Sequence, residues 1–202
     1  MNNFRLGVVI LAAGNSSRMK MQKALLKDQN GKSFVLKITE EYTKVGFEEI
    51  VIVSNPDNVR LIEAEVSQFN SRIILNNHVN KGRMFSVSLG VRELSKKTEY
   101  CFMQDVDRPL INQRILSTLI DIKKPGYYSS LTYKNKKGHP IVLSQEIFLQ
   151  LCDPKNTDKV LSSFLRQFPS NHVPIDDPGI LININTKEDY RANINAAKLH
   201  SN

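Results

Sequence analysis

The run Leu6-Gly7-Val8-Val9-Ile10-Leu11 carries no charge, is rich in β-branched side chains, and passes at once into Ala12-Ala13-Gly14. A strand with one wet face alternates polar and apolar residues, whereas one apolar throughout is covered on both faces. The run therefore reads as the central strand of a sheet with helices on each side. Residues 6–14 are far too few to span a bilayer. The run also lacks the basic leader and small-residue cleavage site of a secretion signal.

Beyond Gly14 the chain alternates short apolar runs with amphipathic stretches. Ser33 offers an N-cap to a helix carrying Phe34, Ile38, Tyr42 and Val45 on one face, and Gly46 stops it. A second strand is expected over 50–53, with Pro56 in the first turn of a helix that repeats Val59, Ile62, Val66 and Phe69. Strands over 73–75 and 100–103 bracket a helix containing Val87, Val91 and Leu94. Strand-helix alternation of this kind builds a mostly parallel sheet. After Pro125, residues 127–133 and 140–143 read as strands joined through Lys134-Asn135-Lys136-Lys137-Gly138. Residues 180–184 read as a last strand, and Thr186 with Asp189 as a capping box opening the final helix. No repeat or linker is visible, so residues 1–202 are expected to form one α/β domain with a small β excursion.

A formal net charge of +8 favours anionic partners. The basic residues are scattered rather than gathered into the aromatic-interleaved stripe of a nucleic-acid binder, so small phosphorylated ligands fit better and neither nucleic acid nor membrane is expected as a partner. Cys101 and Cys152 stand apart from each other and from any His at metal-ligand spacing, as suits reduced thiols in a cytoplasmic protein.

Two loops carry the chemistry. Beyond the carboxyl end of the first strand, where open α/β sheets bind ligands, the small residues Ala12, Ala13 and Gly14 let backbone N–H groups approach phosphate oxygens. Arg18 and Lys23 add fixed positive charge. With no Gly-Lys-Ser/Thr and no glycine partners for Gly14, the loop is neither a Walker loop nor a dinucleotide fingerprint. On the residues alone, a phosphate cradle and an ordinary solvated turn stand about even. The second loop, Gln104-Asp105-Val106-Asp107-Arg108-Pro109, places two carboxylates at the end of another strand. In extended geometry both would point the same way and suit Mg²⁺, although an Asp-capped turn paired with Arg108 is an open alternative.

The segment 11–19 with Lys23 resembles the signature loop of the nucleotidyltransferase superfamily that activates sugars and cofactors. The branch that includes molybdenum cofactor cytidylyltransferase matches most closely, with its pattern Ala-Ala-Gly-x-Ser-x-Arg-Met-Gly-x-x-Lys. Lys20 replaces the glycine after the methionine. The doubled alanine is closer to the cytidylyl branch than to the guanylyl branch, which usually has Ala-Gly-Gly. The resemblance implies a Rossmann-like, mostly parallel three-layer sandwich of the nucleotide-diphospho-sugar transferase type. In it, Leu11, Ala12, Ala13, Gly14 and Ser17 would bind nucleotide, and Arg18, Lys23 and Asp107 would be the catalytic set. Asp107-Arg108-Pro109 fits the family's Asp-x-Pro, so Asp107 is the favoured metal ligand. Asp105 is second, because Asp105 to Pro109 also fits the Asp-x-x-Arg-Pro of isoprenoid cytidylyltransferases. Asn183 and Asn185 occupy the place of a further ligand pair, with a turn role nearly as well supported. Gly82, Ser86 and Ser88 match a Gly-x-x-x-Ser-x-x-x-Gly stretch beside the base and ribose, with an ordinary capped helix equally open. Gly138-His139-Pro140 resembles the Gly-x-Pro that lines the acceptor pocket. His139 is read there as a structural group or a substrate contact rather than a general base.

The expected reaction is Mg²⁺- or Mn²⁺-dependent transfer of CMP from CTP to the terminal phosphate of a molybdopterin-type cofactor, with a molybdoenzyme as the partner that receives the product. A sugar- or polyol-phosphate nucleotidyltransferase needs the same loops with another acceptor pocket. A catalytically silent nucleotide-binding or cofactor-delivery module is the reading from a different class.

Overall fold

The computed structural model describes residues 4–14 and 22–196. Leu6–Leu11 forms β1, buried from Gly7 onward. It lies between two parallel neighbours, β2 (Glu49–Ser54) and β4 (Tyr100–Asp105), and β3 (Ser71–Leu75) runs parallel outside β2. On the other side, β6 (Lys136–Ser144) is antiparallel to β4, β5 (Tyr128–Tyr133) is antiparallel to β6, and β7 (Ser170–Pro174) runs parallel to β5. The described sheet thus has the order β3-β2-β1-β4-β6-β5-β7. Its register sets Leu11 opposite both Val53 and Asp105, so the turn after β1 and the aspartate turn leave the sheet side by side.

Alternation along the strands feeds two cores. Val8 and Ile10 of β1 pack with Phe34 and Ile38 of α1 (Phe34–Lys44), Ile62 of α2 (Val59–Val66) and Ile115 of α4 (Gln113–Ile122). Val9 and Leu11 face the opposite way, toward Val87 and Val91 of α3 (Arg83–Arg92), Phe148 of α5 (Gln145–Phe148) and Phe164 of α6 (Leu161–Leu165). Each such side chain, removed from water, contributes about 1.5–3 kcal/mol, so a strand apolar on both faces is held by both layers. α3 comes close enough that a Cβ on Gly90 would lie 2.4 Å from Cγ1 of Val9, which is why a glycine sits in mid-helix. The last helix, α7 (Lys187–Ala196), closes the described chain. None of the described helices is long and apolar enough to cross a membrane.

The local signals in the sequence carry through. Oγ of Ser33 accepts from the Leu36 N–H at 3.3 Å, and Gly46 takes a φ of +86° just after α1. The box at α7 is reciprocal: Thr186 N–H donates to Asp189 Oδ2 (2.8 Å) and Asp189 N–H to Thr186 Oγ1 (3.0 Å). Three expectations are corrected. Residues 180–184 do not form a strand; Pro178–Leu181 is a 3-10 turn, opened by Asp177 whose carboxylate accepts from the Gly179 N–H, and the chain runs on without joining the sheet. The connection between β5 and β6 is the two-residue turn Lys134-Asn135, at φ of +47° and +62°, so Gly138, His139 and Pro140 lie within β6. α2 begins at Val59 rather than at Pro56, because Asn55 Oδ1 takes the Asn58 N–H and holds a preceding turn.

Candidate active site

Three segments meet at the carboxyl edge of the sheet, and backbone hydrogen bonds fasten them in sequence. Val106 N–H donates to the Leu11 carbonyl (3.1 Å), and Ile184 N–H donates to the Asp107 carbonyl (2.8 Å). The turn after β1 is tied on its other side by Ala12 N–H to Val53 O (2.8 Å) and by Asn55 Nδ2 to Ala13 O (3.2 Å). Under the aspartate turn, buried Gln104 donates to the carbonyls of Asp105 (2.8 Å) and Arg108 (3.0 Å), while its own oxygen accepts from the Tyr42 hydroxyl. Satisfied buried polar groups of this kind fix a loop in one conformation.

The turn after β1, the start of α3 and the aspartate turn enclose a cavity of about 300 Å³. Leu11, Ala12, Ala13, Gly14, Lys23 and Asp107 all line it, together with Gly82, Ser86 and Asp105. On its wall Lys23 Nζ lies 3.0 Å from Asp107 Oδ2 and 2.5 Å from Oδ1 of Asn185, which does not itself line the cavity. The same Asp189 carboxylate that caps α7 also accepts from the Asn185 N–H (3.0 Å), and this sets where Asn185 stands. The donor set fits a divalent metal: a carboxylate and an amide oxygen converge on one positive charge, and Mg²⁺ is commonly held by one or two such oxygens with phosphates completing the shell. No cluster of three or more His, Cys, Asp or Glu occurs among the described residues, so a metal here would depend on such a mixed set.

The remaining expected residues fall differently. Asp105 pairs with Arg83, which grips it through Nη2 to Oδ1 (2.8 Å), Nη2 to Oδ2 (3.0 Å) and Nε to Oδ1 (3.0 Å). β4 ends at Asp105, so the extended geometry does not run on to Asp107, and the two carboxylates take different cations although both line the cavity. Asn183 does not line the cavity, and its Oδ1 is buried without a partner. Ser86 Oγ accepts from Asn76 Nδ2 (2.9 Å) at the cavity wall, whereas Ser88 is buried in the opposite direction on α3. Ser17, Arg18 and Lys20 lie outside the described residues.

A second hollow of about 840 Å³ adjoins the first. Gly138 and His139 line it, and Pro140, joined to His139 by a cis peptide bond, is buried. Gly138 has a packing reason to be glycine, since a Cβ there would stand 2.5 Å from Ile180. Burial pushes the His139 ring down to about 4, against the opposing pull of Asp105; Arg108 and Arg83 add to the depression. The ring is therefore neutral at pH 7. Its Nδ1 is 3.7 Å from Asp105 Oδ2 and has no hydrogen-bond partner. Lys81, Arg83, Lys137, Lys159 and Arg166 face this hollow against Asp105 and Asp158, so its lining is net positive. The wall formed by residues 157–166 and the role of Arg83 are invisible to motif reading. Arg83 could be suspected only as the neighbour of Gly82. Cys101 is buried, and desolvation drives its thiol well above the ordinary range, so it is no nucleophile.

Comparison with known proteins places the chain among nucleotidyltransferases. Over 198 residues the chain is 26% identical to the probable molybdenum cofactor guanylyltransferase of Natranaerobius thermophilus, covering 91% of this chain and 92% of that one. It is 25% identical over 120 residues to the 2-C-methyl-D-erythritol 4-phosphate cytidylyltransferase of Clostridioides difficile, covering 58% of this chain and 51% of the relative. The fold matches Rv0371C of Mycobacterium tuberculosis H37Rv, solved as a manganese complex, with a TM-score of 0.77 and 17% identity over 95% of this chain and 99% of that one. Residues 8–172 match the MobA-like NTP transferase domain, and the chain belongs to that family of nucleotidyltransferases.

Proposed function

We propose that this nucleotidyltransferase moves CMP from CTP onto the terminal phosphate of a molybdopterin-type acceptor and releases pyrophosphate. The observation that carries the reading is the Lys23–Asp107 contact inside the cavity lined by the turn after β1, since it unites both motif loops in one pocket. An acceptor phosphate oxygen would attack the α-phosphorus in line as the bond to pyrophosphate breaks. A phosphomonoester with a second pKa near ~6 is already largely dianionic at pH 7, so no protein base is needed. That agrees with a His139 ring that is neutral and contributes shape rather than proton transfer.

Alignment and charge neutralisation then carry catalysis. Asp107 and Asn185 would hold Mg²⁺ or Mn²⁺, which when bound neutralises charge on the triphosphate. Lys23, released from those two oxygens, would pair with phosphate beside Arg18. Ala12, Ala13 and Gly14 would lie against the nucleotide, with Gly82 and Ser86 toward its base and ribose. A molybdoenzyme would accept the product. Transfer of GMP from GTP is the second reading, favoured by the name of the guanylyltransferase relative that spans most of the chain.

Pyrophosphate release, followed with CTP, GTP and UTP against molybdopterin and a panel of sugar and polyol phosphates, separates these readings. Turnover is expected with CTP and molybdopterin. Asp107→Ala should reduce it by roughly 10²–10³-fold, with the circular dichroism spectrum unchanged. Undiminished turnover in that variant would remove Asp107 from the mechanism, and nucleotide binding with no turnover for any acceptor would leave a delivery module.

A further inference from the structure

The two hollows share three lining residues, Gly82, Arg83 and Asp105. Transfer requires the attacking oxygen and the phosphorus to approach within about 3–3.5 Å. If the nucleotide fills the smaller cavity and the acceptor the larger, the reacting groups meet at this common wall. Arg83 is the cation of the shared wall. Three hydrogen bonds to Asp105 engage its Nε and Nη2, and Nη1 makes none of them. The guanidinium is thus held in a set plane with one nitrogen uncommitted, while its side chain keeps 39% of its surface accessible. Its backbone follows Gly82, whose φ of +83° suits glycine and places Arg83 as the first residue of α3. The pairing also gives Asp105 a role distinct from metal binding.

We infer that Arg83, oriented by Asp105, binds the attacking phosphate of the acceptor at the junction of the two cavities, so that the larger hollow selects a dianionic phosphomonoester. A planar, permanently charged fork offers a phosphate directional hydrogen bonds that an ammonium does not. The cations Lys81, Lys137, Lys159 and Arg166 farther round the hollow supply attraction, and Arg83 supplies position. The inference rests on the nucleotidyl-transfer reading of the site.

The test uses the full chain with Mg²⁺ and two separate titrations. The first measures binding of a non-hydrolysable CTP or GTP analogue. The second measures binding of glycerol 3-phosphate to protein saturated with that analogue, by calorimetry. Arg83→Gln should weaken glycerol 3-phosphate binding by roughly tenfold or more, the scale of losing charge-assisted hydrogen bonds, and shift the analogue's Kd by less than about threefold. Arg83→Lys should recover only part of the loss, and Asp105→Asn, which keeps the cation but slackens its grip, should fall between. Millimolar guanidinium should partly restore binding to Arg83→Ala. Equal loss of analogue and phosphomonoester affinity would overturn the inference, as would unchanged phosphomonoester binding in Arg83→Gln or no such binding to wild type. Failure of the wild type to bind either analogue would instead strike the nucleotidyl-transfer reading itself.

Discussion

Among single residues, Asp105 and Asp107 show how far local spacing reaches. Two carboxylates two positions apart read as a pair, yet the strand ends at the first, and each carboxylate takes a different cation, Arg83 and Lys23. The choice of partner depends on chain 22 and 84 positions away, respectively, which no motif contains. His139 is a comparable case, because its neutrality follows from burial in β6 and not from its neighbours in sequence. In the unfolded chain such a ring takes up a proton near ~6.5, whereas folded it resists until about 4. The unfolded state binds more protons between those values, so stability falls as pH drops through that window. By pH 5 the loss from this one ring is on the order of 2 kcal/mol. Urea unfolding at pH 7 and pH 5 should show a smaller acid loss for His139→Gln than for wild type. Equal losses would mean that the ring protonates freely in the native protein.

Secondary elements were legible where periodicity and caps agree. β1, α1 and the box at α7 follow from apolar runs, Ser33 and the Thr186–Asp189 pair, because each signal is completed within a few residues. β7 escaped notice because Ser170–Pro174 is short, polar and at the sheet edge, and it exists through pairing with β5 rather than through its own pattern. Residues 180–184 misled in the other direction: Ile180, Ile182 and Ile184 alternate like a strand, but Ile180 and Ile184 are buried by packing without a ladder partner. The cap at α7 does more than end a helix, since Asp189 also holds the Asn185 backbone beside Lys23. Thr186→Ala should therefore cost about 1 kcal/mol of stability and also weaken Mn²⁺ binding to the nucleotide-loaded protein, while Thr186→Ser, which keeps the cap, should do neither. Electron paramagnetic resonance titration of Mn²⁺ alongside thermal unfolding measures both. Loss of stability with unaltered Mn²⁺ affinity would confine the cap to a structural role.

Across the whole molecule, both apolar layers converge on β1, yet the functional edge is a place where charges face one another with little packing between them. Lys23 pairs with Asp107 and Arg83 with Asp105 across that edge. Both pairs are partly exposed, and pairs of that kind contribute little to stability. An NTP that binds there exchanges weak internal pairing for phosphate and metal contacts that the unfolded chain cannot make, so its binding free energy adds to folding stability. At a free concentration of 100 times Kd the gain is about 2.7 kcal/mol, which for a chain of this size raises Tm by roughly 5–10 °C. The increase should need Mg²⁺ or Mn²⁺ together with CTP or GTP, exceed the shift from the nucleotide in EDTA, and shrink toward the EDTA value in Asp107→Ala. If instead nucleotide stabilises wild type equally with and without divalent metal, Asp107 and Asn185 do not form a metal site, and their closeness to Lys23 is simply how this edge is packed.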